Sequence, residues 1–414
     1  MDHANSVAAA VVRAYRELPA RGGKPQTRSN SRDVGLLTRY EWTVLAGIVL
    51  CVDGRYIPIA LATGVKCTPY TRLSAHGDVL HDSHAEVLTR RAARAWLLER
   101  LVAERRGDFG DLPRVFFPGE SLWRLRDGAS LHWYVSTLPC GNASSHVFRT
   151  QEASGTSSLR RGRDGINADA MLRTKPGRWD APPSISMSCS DKMCMWHALG
   201  LQGALLSQWL EPVRAASIVI SGAERPALEA CEAALVGRLP DAYRYPLAVH
   251  AAGVTFPHSL ESVQHKTEAD TGVRVGSDEW PSVEPVPCAA SVVWRRGEKS
   301  ENLVGGIRLG AARKAGLLPR SAWSSVCKRA FFEQASTHFN VAAATYAAAK
   351  RGAHAYQAHK AHLRGTETDE EAATRIAHFL AHSHDERCPD GPCAPFGAWL
   401  RTPQCMQQFS VSQP

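Results

Sequence analysis

The chain has 414 residues, of which 44% are hydrophobic, so it can bury a substantial core and form one to three domains. Its formal net charge of +9 favours a polyanionic partner, although housekeeping enzymes can match so modest an excess. The eleven cysteines follow no disulfide framework, and no long apolar run marks a secretion signal or a membrane span. We therefore expect a cytoplasmic or nuclear protein that binds neither membranes nor DNA.

Helices and strands alternate through the first half of the chain. Hydrophobic periodicity predicts a helix over 7–18, a hairpin of strands over 42–52 and 56–62, and a long amphipathic helix over 84–106. The next predicted elements are a strand over 132–136, a helix that starts at Cys140, a polar loop over 151–164, a helix over 193–210 and a strand over 217–221. This alternation predicts an α/β layered core.

The second half of the chain is less regular. From about residue 230 to 290 the sequence loses periodicity and gains Pro, Asp and Gly, which indicates an insertion or irregular region. The last hundred residues are largely helical, and the alanine-rich stretch over 341–363 is the clearest case. We therefore expect an N-terminal helix and linker (1–34), followed by a single large domain (35–414) with a largely helical C-terminal half.

Three separated motifs supply the parts of a hydrolytic zinc site: HAE at 84–86, PCG at 139–141 and SCSDK at 188–192. A catalytic zinc takes three protein ligands and keeps its fourth position for water, whose pKa it lowers to about 7. We expect His84, Cys140 and Cys189 to be those ligands. Glu86 is suited to take the proton of the water and return it to the ring nitrogen and departing ammonia of a nucleobase amine.

Each motif also has a purely structural interpretation. Ser83 and Glu86 fit a helix capping box with Ser83 as the N-cap, and a single buried cysteine is more often packing than ligand. The combination of three motifs, each at a predicted helix start, favours the metal site. The second cysteine of the common P-C-x-x-C signature is missing, so the third ligand must come from further along the chain. Cys194 competes with Cys189 for that role, but its apolar flanks favour a core position.

Longer segments around these motifs resemble the adenosine-to-inosine editase domain, which double-stranded RNA editing deaminases share with eukaryotic tRNA adenosine deaminases. The segments are HDSHAEVLTRR, STLPCG, LRTKPGRWD and MSCSDKMCMWHALGLQGALLSQWLEP. The resemblance runs from about Gly35 to the C-terminus. It implies a cytidine-deaminase-like core, a mixed sheet with helices, and deamination of adenosine to inosine in RNA. The RTKPGR run is similar to the tRNA enzymes, which act on the adenosine just 3′ of the anticodon of alanine tRNA.

In that family a buried inositol hexakisphosphate is held by side chains from distant parts of the chain. On the residues alone, Lys350, Tyr356 and Lys360 would be a solvated basic face of a helix. The resemblance instead implies that they hold this anion, because buried cations without a counter-charge are strongly unfavourable. The matching positions are Arg90, Arg91, Lys192, Trp196, Gln202, Lys328, Tyr346, Lys350, Tyr356, Lys360 and Trp399.

The resemblance also assigns residues around the two cofactor sites. Lys192 would join the anion to the metal through a hydrogen-bond relay that continues through Asp82. Lys175 and Arg178, in the basic turn of LRTKPGRWD, would contact the target nucleotide or the RNA backbone at the mouth of the site. Val65 stands where the family has a threonine that contacts the target ribose, and a valine cannot make that hydrogen bond.

The function expected from the sequence is therefore zinc-dependent deamination of adenosine in tRNA, with inositol hexakisphosphate as a second cofactor. A double-stranded RNA editor is one alternative, which the RTKPGR run and the lack of room for double-stranded RNA-binding modules disfavour. A catalytically inactive RNA-binding scaffold is another, and the intact set of Glu86 and three ligands disfavours it. A free-nucleoside deaminase would need neither the basic excess nor the large C-terminal half.

Overall fold

The structure is a computed structural model that describes residues 2–19, 22–29, 38–144, 159–161, 172–176, 181–274, 285–311, 317–341, 343–381 and 394–411. Arg178 and most of the loop predicted over 151–164 lie outside these ranges. Residues 159–161 are described and form a short strand.

The centre of the fold is an eight-stranded sheet. In chain order the described strands are β1 (Thr27–Ser29), β2 (Thr38–Trp42), β3 (Leu45–Val52), β4 (Arg55–Thr63), β5 (Val65–Cys67), β6 (Asp82–His84), β7 (Phe116–Pro118), β8 (Trp123–Leu125), β9 (Ser130–Val135), β10 (Leu159–Arg161), β11 (Leu172–Thr174), β12 (Ala215–Ser221), β13 (Ala248–Ala252), β14 (Val286–Pro287), β15 (Ala290–Arg295), β16 (Glu301–Val304) and β17 (Ile307–Arg308). The sheet order is β13-β12-β9-β3-β4-β15-β16-β17. Strands β9, β12 and β13 run parallel, and the remaining neighbours pair antiparallel.

Helices cover both faces of this sheet. The described helices are α1 (His3–Glu17), α2 (Ala85–Arg105), α3 (Cys189–Leu199), α4 (Gly203–Leu206), α5 (Arg225–Glu232), α6 (Leu260–Thr271), α7 (Lys328–Phe339), α8 (Tyr346–Arg351), α9 (His354–Arg364) and α10 (Asp369–Ala381). Ile48 and Leu50 of β3 belong to the apolar core that contains α2, whereas Val49 packs with α1. Successive side chains of a strand point to opposite faces, so the sheet is buried on both sides. The predicted α/β class, with a mixed sheet and a helical C-terminal part, is confirmed.

Glycines divide two of the predicted helices. The helix predicted over 193–210 begins earlier, at α3, and ends at Gly200, whose φ is 89° and therefore outside the helical region. The short helix α4 begins at Gly203, which also has a positive φ of 67°. The alanine-rich stretch over 341–363 is likewise two helices, α8 and α9, with Gly352 as the C-cap of the first.

The segment predicted as irregular over 230–290 contains regular structure. Strand β13 adds to the parallel end of the central sheet, and α6 is capped by Ser259 at its start and by Gly272 at its end. The sequence of β13, AVHAA, has no strong alternation, and most of its side chains are at least partly exposed. A short, half-exposed edge strand therefore carries little periodic signal. Among the described residues, no helix is long and apolar enough to cross a membrane.

A cluster of histidines joins α1 to the sheet. The two ring nitrogens of His3 lie 3.1 Å from Tyr56 Oη and 3.3 Å from Ser217 Oγ. The His132 ring packs edge-on against His3 at 4.5 Å between centroids, and its Nδ1 lies 2.8 Å from the same Ser217 oxygen. Burial, followed by the nearby His3 and His250, lowers the pKa of His132 to about 4. His132 is therefore held in its neutral form at neutral pH.

Acid should consequently loosen this contact. The pKa of His132 in the fold lies below the value of about 6.5 for an unfolded histidine, so the unfolded chain binds the proton more readily. The stabilisation is complete above about pH 6.5 and is lost as the pH falls towards 4, by on the order of 1–2 kcal/mol between pH 7 and 5. Urea unfolding at both pH values measures this loss. His132→Asn should reduce it, whereas His265→Asn, at an exposed histidine of α6, should leave it unchanged; equal losses in both variants would contradict the assignment.

Candidate active site

The HAE motif forms the junction between β6 and α2. His84 is the N-cap of α2, with a φ of −67° and a ψ of 145°, and its side chain makes no capping bond. The helix thus begins one residue later than a Ser83 cap would require, and the capping box considered for Ser83 and Glu86 does not form. Glu86 lies in the first turn of α2 and is 3% exposed. Its carboxyl group is therefore available for chemistry rather than committed to a cap.

A carboxylate fixes the orientation of the imidazole. His84 Nδ1 lies 2.8 Å from Asp82 Oδ1, and the His84 backbone N–H donates to the same oxygen at 3.0 Å. With Nδ1 held by Asp82, the other ring nitrogen, Nε2, is the one that can bind a metal.

The two predicted cysteine ligands lie next to each other. Cys140 is in the tight turn that follows β9, and Cys189 is the first residue of α3. The Cys189 backbone N–H donates to Cys140 Sγ at 3.3 Å. Gly141, with a φ of 105°, allows this approach, because a Cβ at that position would lie 2.3 Å from Ser188 Oγ. The helix predicted to start at Cys140 is instead a turn, followed by one 3-10 turn over 142–144.

The cysteines share one negative charge. A hydrogen bond from the Cys189 thiol, aided by Lys175 and His84, holds the pKa of Cys140 well below its ordinary value. Burial, followed by the adjacent Cys140 sulfur, raises the pKa of Cys189 well above its ordinary value. Burial and then the Cys140 thiolate also raise the pKa of Glu86. The Glu86 carboxylate thus lies where it can readily accept a proton.

Two lysines meet the buried carboxylate of Asp82. Lys175 Nζ donates to Asp82 Oδ2 at 2.9 Å and to Cys189 Sγ at 3.1 Å, and Lys192 Nζ donates to Asp82 Oδ2 at 2.5 Å. Ser186 Oγ donates to the same oxygen at 2.6 Å. Burial alone would raise the pKa of Asp82, but Lys175, Lys192 and His84 outweigh it and hold that pKa well below its ordinary value. A continuous chain of polar contacts thus runs from Lys192 to the cysteine pair.

The position of Lys175 corrects the role expected for it. Its side chain is 3% exposed and turned inwards, with the Asp82 carboxylate and the Cys189 sulfur as partners. An ammonium group in that position cannot meet an RNA phosphate at the mouth of the site. Residues 173–175 run antiparallel to residues 186–188, through backbone bonds that pair Lys175 with Ser186 and Arg173 with Ser188. This pairing, which the sequence does not display, turns the Lys175 side chain towards the cysteines.

The structure shows contacts between two of these residues at a time, such as His84 with Asp82 and Cys189 with Cys140. Across the part of the chain that the structure describes, no group of three or more His, Cys, Asp or Glu side chains is arranged to hold a metal ion. Cys194, the competing ligand, lies in a second apolar cluster with Met195 and Leu363, and burial raises its pKa to about 11.

Most of the residues expected to hold the anion come together beside α2. Arg90 lies over the Trp196 ring at 4.7 Å, and Lys350 over the Tyr346 ring at 5.2 Å. The remaining cations lie close enough to repel one another. The charges of Arg91 and Lys350 contribute to the lowered pKa of Lys328, and the charge of Lys350 contributes to the lowered pKa of Lys360. These side chains come from α2, α3, α7, α8 and α9. The fold therefore gathers five helices around one group of positive charges.

This cation cluster is electrostatically crowded. Burial, followed by Arg94, lowers the pKa of Arg90 to about 9. Burial, followed by neighbouring cations, lowers the pKa of both Lys328 and Lys360 well below their ordinary value. The Nε atoms of Arg90 and Arg364 are buried without a hydrogen-bond partner among the described residues. Charges buried in this way are offset either by a bound anion or by loss of the lysine protons.

Three residues of this cation cluster were not predicted from the sequence, and one residue predicted to hold the anion makes other contacts. Arg94 and Arg364 each lie one helical turn after an expected ligand, Arg90 and Lys360, and this spacing of four was the available signal. His81, whose Nε2 is buried and unpartnered among the described residues, faces Lys328, Arg91 and Lys192. Gln202 instead caps backbone groups: its amide donates to the Leu199 carbonyl and its oxygen accepts from the Val213 N–H, each at 3.1 Å.

Comparison with known families identifies this arrangement. A profile of the adenosine-deaminase (editase) domain matches residues 60–371, which is three quarters of the chain and includes all three motifs and most of the cation cluster. The chain belongs to this family. Helix α1 and strand β3 precede the matched region, yet both pack into the same core as the editase sheet.

Individual editase relatives fall into two groups. The tRNA-specific adenosine deaminase 1 of Schizosaccharomyces pombe is 36% identical over 230 residues, or 52% of this chain and 56% of that protein. The double-stranded RNA-specific editase B2 of Mus musculus is 32% identical over 241 residues, or 53% of this chain and 30% of that protein. The Homo sapiens tRNA-specific adenosine deaminase 1 is 25% identical over 390 residues, or 62% and 74%. The chain thus spans about half of the first of these relatives and less than a third of the second.

Removing the Lys175 ammonium group should destabilise the editase fold. Lys175→Met leaves Asp82 with one lysine and the cysteine pair with none, and loss of one partner of a buried ion pair costs about 3–5 kcal/mol. Urea unfolding should therefore show a decrease of about 3 kcal/mol. Arg126→Met, which breaks the surface pair with Asp53, is the control and should lower stability by less than about 1 kcal/mol. A Lys175→Met loss no larger than that of the control would contradict this electrostatic role.

Proposed function

We propose that this chain is a zinc-dependent deaminase that converts adenosine to inosine in tRNA, at the adenosine next to the anticodon of alanine tRNA. The observation that carries the proposal is an editase domain in which Asp82 orients His84, and in which His84 and the Cys140 thiolate shift the pKa of Glu86. The names of relatives such as the fission yeast protein support tRNA as the substrate class.

The donor set fits zinc. His84 offers an imidazole nitrogen whose opposite ring atom is bonded to a carboxylate, the usual support of a zinc-binding histidine. Cys140 and Cys189 offer two adjacent sulfurs, one of them a thiolate. His84, Cys140 and Cys189 would hold the zinc, which would supply a water with a pKa of about 7 and hence hydroxide at neutral pH.

Glu86 would carry the protons of the reaction. Hydrolytic deamination adds water at C6 of adenine, moves a proton to N1 and a second to the departing ammonia, and leaves the C6 oxygen of inosine. The raised pKa of Glu86 suits a carboxylate that accepts the proton of water and then donates it. Glu86 lies in the first turn of α2, two residues after His84, so the start of the helix holds it near that predicted ligand.

The bound anion is proposed to be inositol hexakisphosphate. Its phosphates would accept charge-assisted hydrogen bonds from the crowded lysines and arginines and from the tyrosines, and so remove the mutual repulsion recorded in their pKa shifts. The unpartnered Nε atoms of Arg90 and Arg364 are suitable donors to such a ligand. An anion with several phosphates fits cations drawn from four helices, α2, α7, α8 and α9, better than a single phosphate does.

The substrate assignment is tested with two RNAs. Purified protein is incubated with an alanine tRNA anticodon stem-loop and with a perfect duplex of matched length, and inosine is mapped in each. The loop should be edited and the duplex edited poorly, because the extrusion of a paired base costs a few kcal/mol while loop bases are partly unstacked. Efficient editing of the duplex with the loop untouched would instead identify a double-stranded RNA editor.

Glu86→Gln is the matched control for this activity. It keeps the shape of the side chain and removes its ability to take a proton, so zinc content and RNA binding should stay unchanged. Deamination should fall by about 100- to 10,000-fold. Elemental analysis and single-turnover inosine formation measure the two effects, and near-normal turnover would assign Glu86 a structural role.

The anion is tested by composition and by stability. Native mass spectrometry of the folded protein should show one inositol hexakisphosphate per chain. Lys360→Met removes one cation that faces it and should lower the free energy of unfolding by about 2 kcal/mol, the value of a charged hydrogen bond. Lys266→Met, at an exposed lysine of α6, should have no such effect. Protein that folds with full stability after removal of all bound phosphate would contradict the proposal.

A further inference from the structure

Arg238 is a buried arginine that no motif of the sequence marks. It follows a π-helical turn, Ala233–Gly237, which continues from α5. Its side chain is 7% exposed, its Nη1 donates to Asp191 Oδ1 at 2.6 Å and its Nε donates to the Ala234 carbonyl at 2.7 Å. The guanidinium thus joins the π-helical turn to α3.

Asp191 connects this arginine to two other segments. The carboxylate is fully buried, and its second oxygen, Oδ2, accepts from Ser188 Oγ at 2.6 Å and from the Arg173 backbone N–H at 2.9 Å. Ser188 is in turn the N-cap of α3 and accepts from the Asp191 N–H at 3.1 Å. One carboxylate therefore fixes the start of α3 relative to β11.

The same hydrogen bonds continue from the start of α3, where Cys189 lies, to the turn that contains Cys140. Arg173 Nε donates to Asn142 Oδ1 at 3.0 Å, in the turn that contains Cys140. Ser190 Oγ donates to the Cys140 carbonyl at 2.9 Å and accepts from the Ala143 N–H at 3.1 Å. Residues on both sides of each cysteine are thereby tied to one another.

We propose that Arg238 is a positioning residue for the Cys140–Cys189 pair. Through Asp191 it holds the first turn of α3, and through Arg173 it holds the Cys140 turn, so that the two sulfurs keep one relative position. This role rests on the proposed function, in which the pair binds zinc. Its support comes from a segment about fifty residues beyond Cys189, outside the three zinc-site motifs.

The test compares metal retention and thiol reactivity in the full chain. Arg238→Met should release zinc to a chromogenic chelator about 10- to 100-fold faster than the wild type, as is typical when a residue that supports metal ligands is lost. In metal-free protein, Cys140 should be alkylated several-fold faster, measured by peptide mass spectrometry. Both are read at a temperature where circular dichroism shows the variant folded.

Arg244→Met is the matched control. Arg244 bonds to the Leu239 and Gly237 carbonyls at 2.7 and 2.9 Å, and so supports the same segment without touching α3. It should lower the melting temperature at most and leave zinc release and alkylation at wild-type rates. Arg238→Lys keeps the charge but cannot bond to Asp191 and Ala234 together, so its rates should fall between those of Arg238→Met and the wild type.

Each outcome decides the role. A folded Arg238→Met with wild-type zinc release and alkylation overturns the proposal and leaves Arg238 a packing residue. If Arg238→Met does not fold, Arg238→Lys decides in the same way: faster rates support positioning and wild-type rates overturn it. A wild-type protein that edits no RNA, with Cys140 alkylation still dependent on Arg238, would remove the proposed function while leaving the positioning role intact.

Discussion

The buried carboxylate of Asp82 is the interaction on which the rest of the site depends. Asp82 is 3% exposed, and its carboxylate bonds to the ammonium groups of two lysines, to Ser186 and to the His84 ring. Two lysines bring two positive charges, and Asp82 with the shared thiolate of the cysteine pair brings two negative ones. Because this set balances, Lys175 can be buried, and Lys192 half-buried, without a large electrostatic penalty. Within the described ranges Glu86 has no such cationic partner of its own, and burial, followed by the Cys140 thiolate, raises its pKa.

The cation cluster beside α2 has no such internal balance. Helix α2 carries His84 and Glu86 at its start and Arg90, Arg91 and Arg94 in its next turns, so the same helix serves both sites. The arginines face lysines from α7, α8 and α9, and burial, followed by repulsion among these cations, lowers the pKa of nearly every member. An anion there would therefore hold the C-terminal helices against α2. In that case the anion would stabilise the fold itself as well as bind to its surface.

The sequence predicted those features that local patterns encode. The α/β class, the β3-β4 hairpin and α2 follow from periodicity, and the family membership follows from short runs of identity around His84, Cys140 and Cys189. Features set by long-range pairing were not predictable. Lys175 was expected at the mouth of the site because the LRTKPGRWD run resembles the editase family, and only the backbone pairing with Ser186 turns it inwards. Gln202 was expected to face the anion, whereas the glycines on either side of it create a turn whose backbone groups it caps.

Reactive groups and the groups that hold them are thus distributed differently along the chain. The reactive ones lie at the starts of α2 and α3 or in the turn after β9, where a helix terminus or a glycine turn exposes a side chain to its neighbours. The residues that fix these termini come from β6, from β11 and from the segment after α5, each separated from its partner by tens of residues. The reactive residues therefore fall in short stretches of sequence that can be recognised as motifs. The supporting residues, such as Arg238 and Asp191, belong to no short motif. Only the buried hydrogen bonds that join them to the segments around a reactive residue distinguish them from other buried polar residues.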